Sequence, residues 1–359
     1  MSSALLPIGY YEAPLACSTG ERTMAVWLPI NRNAAPAPLG TYHMKIMMGK
    51  KLQILASMVV PGGVPSWLVC CLPTVQATMP TATPGLCAAT PDIVAPPAEV
   101  RGLVVIAHGL SDGPLTFAHV AETLASRGFI VATPACADST AVDDAHSVLQ
   151  HGKAYLLEHS IIRAHVMETC IDSLRSTFAE QLAGKQTALV GYSIGTDTVR
   201  AMRAACPRVY VAGPGWEQKI AGSVRPIHPS PTPGGPSLQL LCEPDGQMDM
   251  FDFSSDEAAA FAGHPDAMLV AQAECAACDW RGDEFRHVRI SFSPFAHGNF
   301  KYVPFGDAED AGWSTLTCGC LSQFAPDAGV DGQPVEHRVK QERAQLCADV
   351  ITKWLVARM

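Results

Sequence analysis

The chain is short of charge. Only 16% of its residues are Asp, Glu, Lys or Arg, the balance is acidic at −9, and no run of Lys or Arg stands out. The electrostatic footprint that nucleic-acid binding requires is therefore missing, and no nucleic-acid partner is expected. Long apolar runs are lacking too: no stretch reaches the roughly 18 residues of a membrane span. The closest are Leu52–Val60 and, after Pro61-Gly62-Gly63, Trp67–Leu72. Pieces this short read as core or as an interfacial patch able to make peripheral membrane contact. Met1 to Tyr10 has no basic segment leading into an apolar one, so signal-peptide export is not expected and a cytoplasmic location is. Internal repeats are absent as well.

Hydrophobic residues, by contrast, make up 48% of 359 positions, enough for a sizeable core and too many for a disordered chain. The cysteine count, 13, is high and odd. Without an export signal these read as reduced, buried thiols rather than a disulfide framework. Cys275 with Cys278 (CxxC) and Cys318 with Cys320 (CxC) would offer four thiolates to zinc. Their spacing lacks the regularity of structural zinc sites, so no metal and no cofactor are expected.

Strand-like apolar runs alternate with helical patterns. Val100–Ala107, Phe129–Ala132, Thr187–Gly191, Val209–Ala212, Leu238–Cys242 and Val288–Phe292 read as buried strands. Leu115–Arg127, about Tyr155–Ala183, Thr196–Ala205 and Gln341–Arg358 read as helices. In the second of these, Met167, Ile171, Leu174, Phe178 and Leu182 recur at spacings of four and three, one apolar face. Continuous apolar strands alternating with helices predict an α/β fold, a mostly parallel central sheet with helices on both faces, as one domain over residues 1–359. The first 70 residues are expected to supply antiparallel edge strands and a surface helix. Residues 73–97, rich in Pro, Thr and Ala, read as an irregular surface insertion. Residues 256–286 read as an excursion forming a lid or pocket wall.

Gly191-Tyr192-Ser193-Ile194-Gly195 falls directly after one expected strand and directly before an expected helix. That is the context a nucleophile elbow needs. The serine is exposed on a sharp strand-to-helix turn, and glycines two residues either side remove side chains that would collide. Val104 to Leu110 is a strand ending in His108-Gly109-Leu110, and the loop after such a strand supplies a second oxyanion-hole donor. By position the donors are the backbone N–H groups of Leu110 and Ile194. The base must follow the serine in this arrangement. Among the later histidines, His297 lies in a loop just beyond the strand Val288–Phe292 and is the expected base. For the acid, Asp245 follows the strand Leu238–Cys242 at a turn; Glu217 is the alternative, and Glu243 ranks third. These residues predict the α/β-hydrolase fold and acyl transfer by a Ser-His-Asp triad through an acyl-enzyme, on a carboxylic ester.

With these motifs placed, the chain resembles the platelet-activating-factor acetylhydrolases (group VII phospholipases A2) and their dienelactone-hydrolase-like and chlorophyllase-type relatives. The resemblance rests on His108-Gly109-Leu110 with Leu124 to Ala132, against that family's "HGLG … LASHGFIVAA". It continues through Ile162 to Leu174 and ends on Ala296-His297-Gly298-Asn299-Phe300, against "VHQNF". It implies Ser193 as nucleophile, His297 as base, Leu110 and Ile194 as oxyanion donors, and a lipid ester with a short sn-2 acyl group as substrate. Two positions depart. If Trp216 is placed on the family's Trp, Pro214 occupies the family's acid position, which is why the acid is sought at Asp245 or Glu217. Thr196 stands where many members carry a second Gly. A chlorophyllase-type or general carboxylesterase is the nearest alternative; a catalytically inactive binding protein is the alternative of another class.

Overall fold

In the computed structural model, residues 5–18, 20–34, 36–47, 49–50, 74–110, 112–136, 138–139, 152–212, 235–242, 268–271, 280–281, 285–292, 300 and 337–359 are described. The expected apolar runs form strands: β6 (Gly102–Ala107), β7 (Phe129–Pro134), β8 (Thr187–Tyr192), β9 (Arg208–Val211), β10 (Ser237–Cys242) and β12 (His287–Phe292). Before them come β1 (Ile8–Cys17), β2 (Gly20–Pro29), β3 (Thr41–Met47), β4 (Thr74–Pro80) and β5 (Cys87–Ala88), and β11 (Met268–Ala271) precedes the last. Among the described residues ten strands make one sheet in the order β11-β12-β10-β9-β8-β6-β7-β2-β1-β5. From β11 through β7 every neighbour is parallel. β2 joins β7 antiparallel and pairs with β1 along a hairpin.

Alternation along the central strands divides the core in two, because successive side chains leave a strand on opposite faces. Val104, Ile106, Val131 and Val190 face one layer, which holds α1 (Ala118–Ser126) and α4 (His337–Arg358). On α4, Cys347, Ala348, Ile351, Trp354 and Leu355 form the buried stripe. Leu103, Val105, Ile130 and Leu189 face the other layer, which holds α2 (Gly152–Thr177) and α3 (Gly195–Ala201). With both faces covered, polar alternation has no place in these strands, and they read as unbroken apolar runs. Each fully buried Leu, Ile or Val contributes about 1.5–3 kcal/mol relative to exposure.

Four elements differ from expectation. The expected helix Thr196–Ala205 stops at Ala201. Arg208 reaches back from β9 and donates to the carbonyls of Val199, Met202 and Ala204 at 2.9, 2.7 and 2.6 Å, so those acceptors are satisfied without a further turn. Ala212 lies outside β9, with φ 45°. Within the Pro/Thr/Ala-rich stretch, Thr74–Pro80 pairs with β3 as a separate two-stranded antiparallel sheet, where the β-branched Thr74, Val75 and Thr78 suit a pleated strand. Within the later excursion, Met268–Ala271 adds β11 to the edge of the main sheet. The early hairpin supplies antiparallel strands as expected, whereas the apolar pieces at 52–72 lie outside the described residues.

A buried acid fastens the small sheet to the main body. Glu122 of α1 accepts from the Tyr42 hydroxyl at 2.6 Å and from the Ala82 N–H at 3.1 Å, and Tyr42 in turn accepts from Trp27 Nε1 at 2.7 Å. Burial pushes the Glu122 carboxyl upward, and these hydrogen bonds oppose it.

Candidate active site

The sheet order reverses about β6. From β6 the chain moves outward to β7, then returns to lay β8 on the other side of β6. Such a switch point opens a crevice at the carboxyl ends of the strands, where α/β sheets bind ligands. Both motifs singled out in the sequence end there: β8 runs into Ser193, and β6 runs into His108-Gly109-Leu110.

Ser193 has φ 53°, a left-handed conformation that costs an L-residue on the order of 1–2 kcal/mol. The surroundings enforce it. The Ser193 N–H donates to Val211 O at 3.0 Å, and its carbonyl accepts from Thr196 N–H at 2.9 Å and from Thr196 Oγ1 at 2.7 Å. Thr196, the departure from the glycine pattern, therefore takes part in closing the turn. A Cβ on Gly191 would stand 2.3 Å from the Gly195 carbonyl oxygen, and one on Gly195 would stand 2.2 Å from that of Ala107. The two glycines are thus demanded by close approach, the second between the Ser193 turn and strand β6.

The loop after β6, Gly109-Leu110, is held from beneath by His108, wholly buried. Cys136 N–H donates to His108 Nε2 at 3.1 Å, so the proton of the neutral ring sits on Nδ1, which donates to Gly109 O at 2.7 Å. The Asp112 N–H reaches the same carbonyl at 3.3 Å. In a trans peptide the next N–H points the opposite way from the carbonyl, so anchoring Gly109 O also orients the Leu110 N–H. Among the described residues neither the Leu110 nor the Ile194 N–H has an acceptor. Burial, with Arg163's charge second, pushes His108 down to about 4. A neutral ring with its lone pair committed has no capacity to take a proton from Ser193. Gly109 packs on the Tyr192 ring, where a Cβ would come to 2.9 Å, and this joins the loop to the residue preceding Ser193.

Beneath both motifs lies a charge that sequence reading missed. Arg163 of α2 is wholly buried and donates to both oxygens of Asp138, to Thr198 Oγ1 and to the His108 carbonyl. Its position four residues before Met167, on the apolar stripe, was the available signal. His108, Cys136 and Asp138 lie close enough together to suggest a metal site. The His108 Nε2 lone pair is already taken by the Cys136 N–H and both Asp138 oxygens by Arg163, and the guanidinium repels a cation, so this set does not fit one.

Among the described residues Ser193 Oγ has no hydrogen-bond partner. Asp245, Glu217, Glu243, His297 and the cysteines 275, 278, 318 and 320 lie outside the described residues. The strands that precede the expected acid and base, β10 ending at Cys242 and β12 ending at Phe292, are adjacent and parallel, with Cys242 beside Phe292. Beyond the His297 segment Phe300 is again wholly buried, its ring edge-on to Phe292 at 5.6 Å.

No family model matches the chain, and no curated protein does. Solved structures do. A ferulic acid esterase from Streptomyces cinnamoneus aligns over 99% of this chain and 89% of its own, with TM-score 0.50 and 17% identity. A cold-adapted esterase from an Arctic intertidal metagenomic library aligns over 73% and 81%, with TM-score 0.40 and 12% identity. A lidless α/β serine hydrolase from Xanthomonas campestris aligns over 80% and 87%, with TM-score 0.36 and 11% identity. With the strand order above, the first likeness shows that the chain has the α/β-hydrolase fold.

Proposed function

We propose that the protein is a serine ester hydrolase that works through an acyl-enzyme. The observation that carries this is Ser193 at φ 53°, on a strand-to-helix turn at the switch point beside a loop whose Leu110 N–H has no acceptor among the described residues. The left-handed turn costs an L-residue stability, and presenting a serine hydroxyl for acyl transfer gives a reason for that cost.

His297 takes the proton from Ser193 Oγ as that oxygen attacks the ester carbonyl, with Asp245 orienting the imidazole and stabilising its charged form. The N–H groups of Leu110 and Ile194 hold the oxyanion. The alcohol leaves with the proton from His297, and water then releases the acid by the same route. The substrate class follows from the family resemblance: a lipid or other apolar carboxylic ester, with a short sn-2 acyl phospholipid first and a chlorophyllase-type ester second. The apolar residues Leu52, Ile54, Val59, Val60, Trp67 and Leu68 would let the enzyme rest on a lipid surface while it works.

A screen of p-nitrophenyl esters of rising acyl length, beside short- and long-chain phosphatidylcholines, chlorophyll and a feruloyl ester, tests this. Hydrolysis of short acyl esters, including a short sn-2 phosphatidylcholine, is expected. Activity confined to chlorophyll or the feruloyl ester would overturn the substrate assignment. Asp245→Asn should remove most of kcat while Glu217→Gln retains it; the opposite pattern would move the acid to Glu217.

A further inference from the structure

Arg163 occupies a position where a charge is expensive. On α2 the core-facing stripe runs through Arg163, Val166, Met167, Cys170 and Leu174, and Arg163 is as buried as the last three. Withdrawing a guanidinium from water costs several kcal/mol, on the order of what its partners return. Those partners come from three different places. Asp138, just past β7, receives Nη1 at 2.5 and 2.6 Å. Thr198 of α3, the helix that follows the nucleophile, receives Nε at 3.0 Å. The carbonyl of His108, at the end of β6, receives Nη2.

We propose that Arg163 is a positioning residue that clamps the oxyanion loop to the nucleophile helix. It acts in this way only if Ser193 is the nucleophile of an ester hydrolase, as proposed above. Arg163 fixes the His108–Gly109 peptide, and the His108 ring fixes the next peptide through Gly109 O. The Leu110 N–H belongs to that second peptide. Two consecutive peptide planes are therefore pinned, and the second pin (the ring) hangs from the residue the first pin holds. Thr198 carries the same guanidinium's third contact, so the donor loop and the turn bearing Ser193 share one rigid group. Losing the fork frees the loop to rotate and misdirects a donor that matters most when charge develops on the carbonyl oxygen. Substrate groups bound elsewhere are untouched. The loss should fall on kcat and leave KM nearly unchanged, whereas a purely structural role would reduce the folded fraction and leave each folded molecule fully active.

The test counts active sites with a fluorophosphonate and then measures kcat and KM for p-nitrophenyl acetate per labelled site. Arg163→Lys keeps a positive charge for Asp138 but loses the planar fork. Thr198→Val keeps the Arg163–Asp138 pair whole and removes one contact, so it decides the matter alone if the lysine variant does not fold. Expected are a drop in kcat per site of roughly 10- to 100-fold for Arg163→Lys and a few-fold for Thr198→Val, with KM within about twofold. Binding of a boronic acid inhibitor should weaken in step with kcat. Unchanged kcat per labelled site in both variants would refute the clamp and leave the hydrolase proposal standing. A wild type that neither labels nor hydrolyses any ester would refute the hydrolase proposal and the clamp with it.

Discussion

Acid should weaken this fold through two histidines. His108 and His119 are wholly buried; burial drives His108 down to about 4, with Arg163's charge adding to it, and drives His119 down to about 3. Unfolded, each titrates near its ordinary value of 6.5. The folded values are depressed, so below that value the unfolded chain binds the extra protons. The stabilisation is complete above about pH 6.5 and drains away as the pH falls toward the folded values. At pH 5 each ring lies about 1.5 units below its unfolded value, which at about 1.36 kcal/mol per unit is about 2 kcal/mol. The pair together removes about 4 kcal/mol, a large share of the roughly 5–15 kcal/mol that holds an ordinary domain. Urea unfolding followed by tryptophan fluorescence, at intervals from pH 7 to pH 5, measures this in wild type and His119→Gln. The carboxylates titrate alike in both chains and cancel in the difference. Wild-type stability minus that of the variant should fall by about 2 kcal/mol across the range. The His108 ring resonance should hold its neutral position at pH 5. Parallel stability curves, or a His108 resonance that titrates near pH 6.5, would refute the reasoning.

Two further substitutions probe the packing. In Gly195→Ala the new methyl would meet the Ala107 carbonyl oxygen at 2.2 Å and wedge the Ser193 turn from β6. A loss of about 1–3 kcal/mol in thermal unfolding is expected, with the rate of Ser193 labelling falling alongside; a wild-type labelling rate would contradict it. Tyr42→Phe strips Trp27 Nε1 of its acceptor and Glu122 of a donor. It should cost about 1–3 kcal/mol in urea unfolding, and Glu122→Gln added to Tyr42→Phe should recover part of that loss.

Much of this fold was legible in the sequence for one physical reason. Strands covered on both faces bury every side chain, so β6, β7 and β8 stand out as apolar runs. What escaped depended on distant partners or on brevity. Met268–Ala271 is only four residues within an Ala-rich stretch, and its strand character comes from β12. The end of α3 is set by Arg208, and a helical period cannot foresee a guanidinium arriving from the next strand. At the site, Ser193 and the His108 loop were legible because their backbone geometry demands glycine at fixed offsets. Arg163 was not, since a charge on an apolar stripe gains sense only once Asp138, Thr198 and His108 converge on it. The acid and base rest on chain order and on the strands that precede them.

The central claim is that Ser193 is an activated nucleophile. Incubating the purified protein with a fluorophosphonate and mapping the adduct by peptide mass spectrometry tests it directly, with Ser193→Ala as control. A stoichiometric adduct on Ser193, absent in the control and formed together with loss of ester hydrolysis, is the predicted result. Failure of the wild type to label at Ser193 would contradict it.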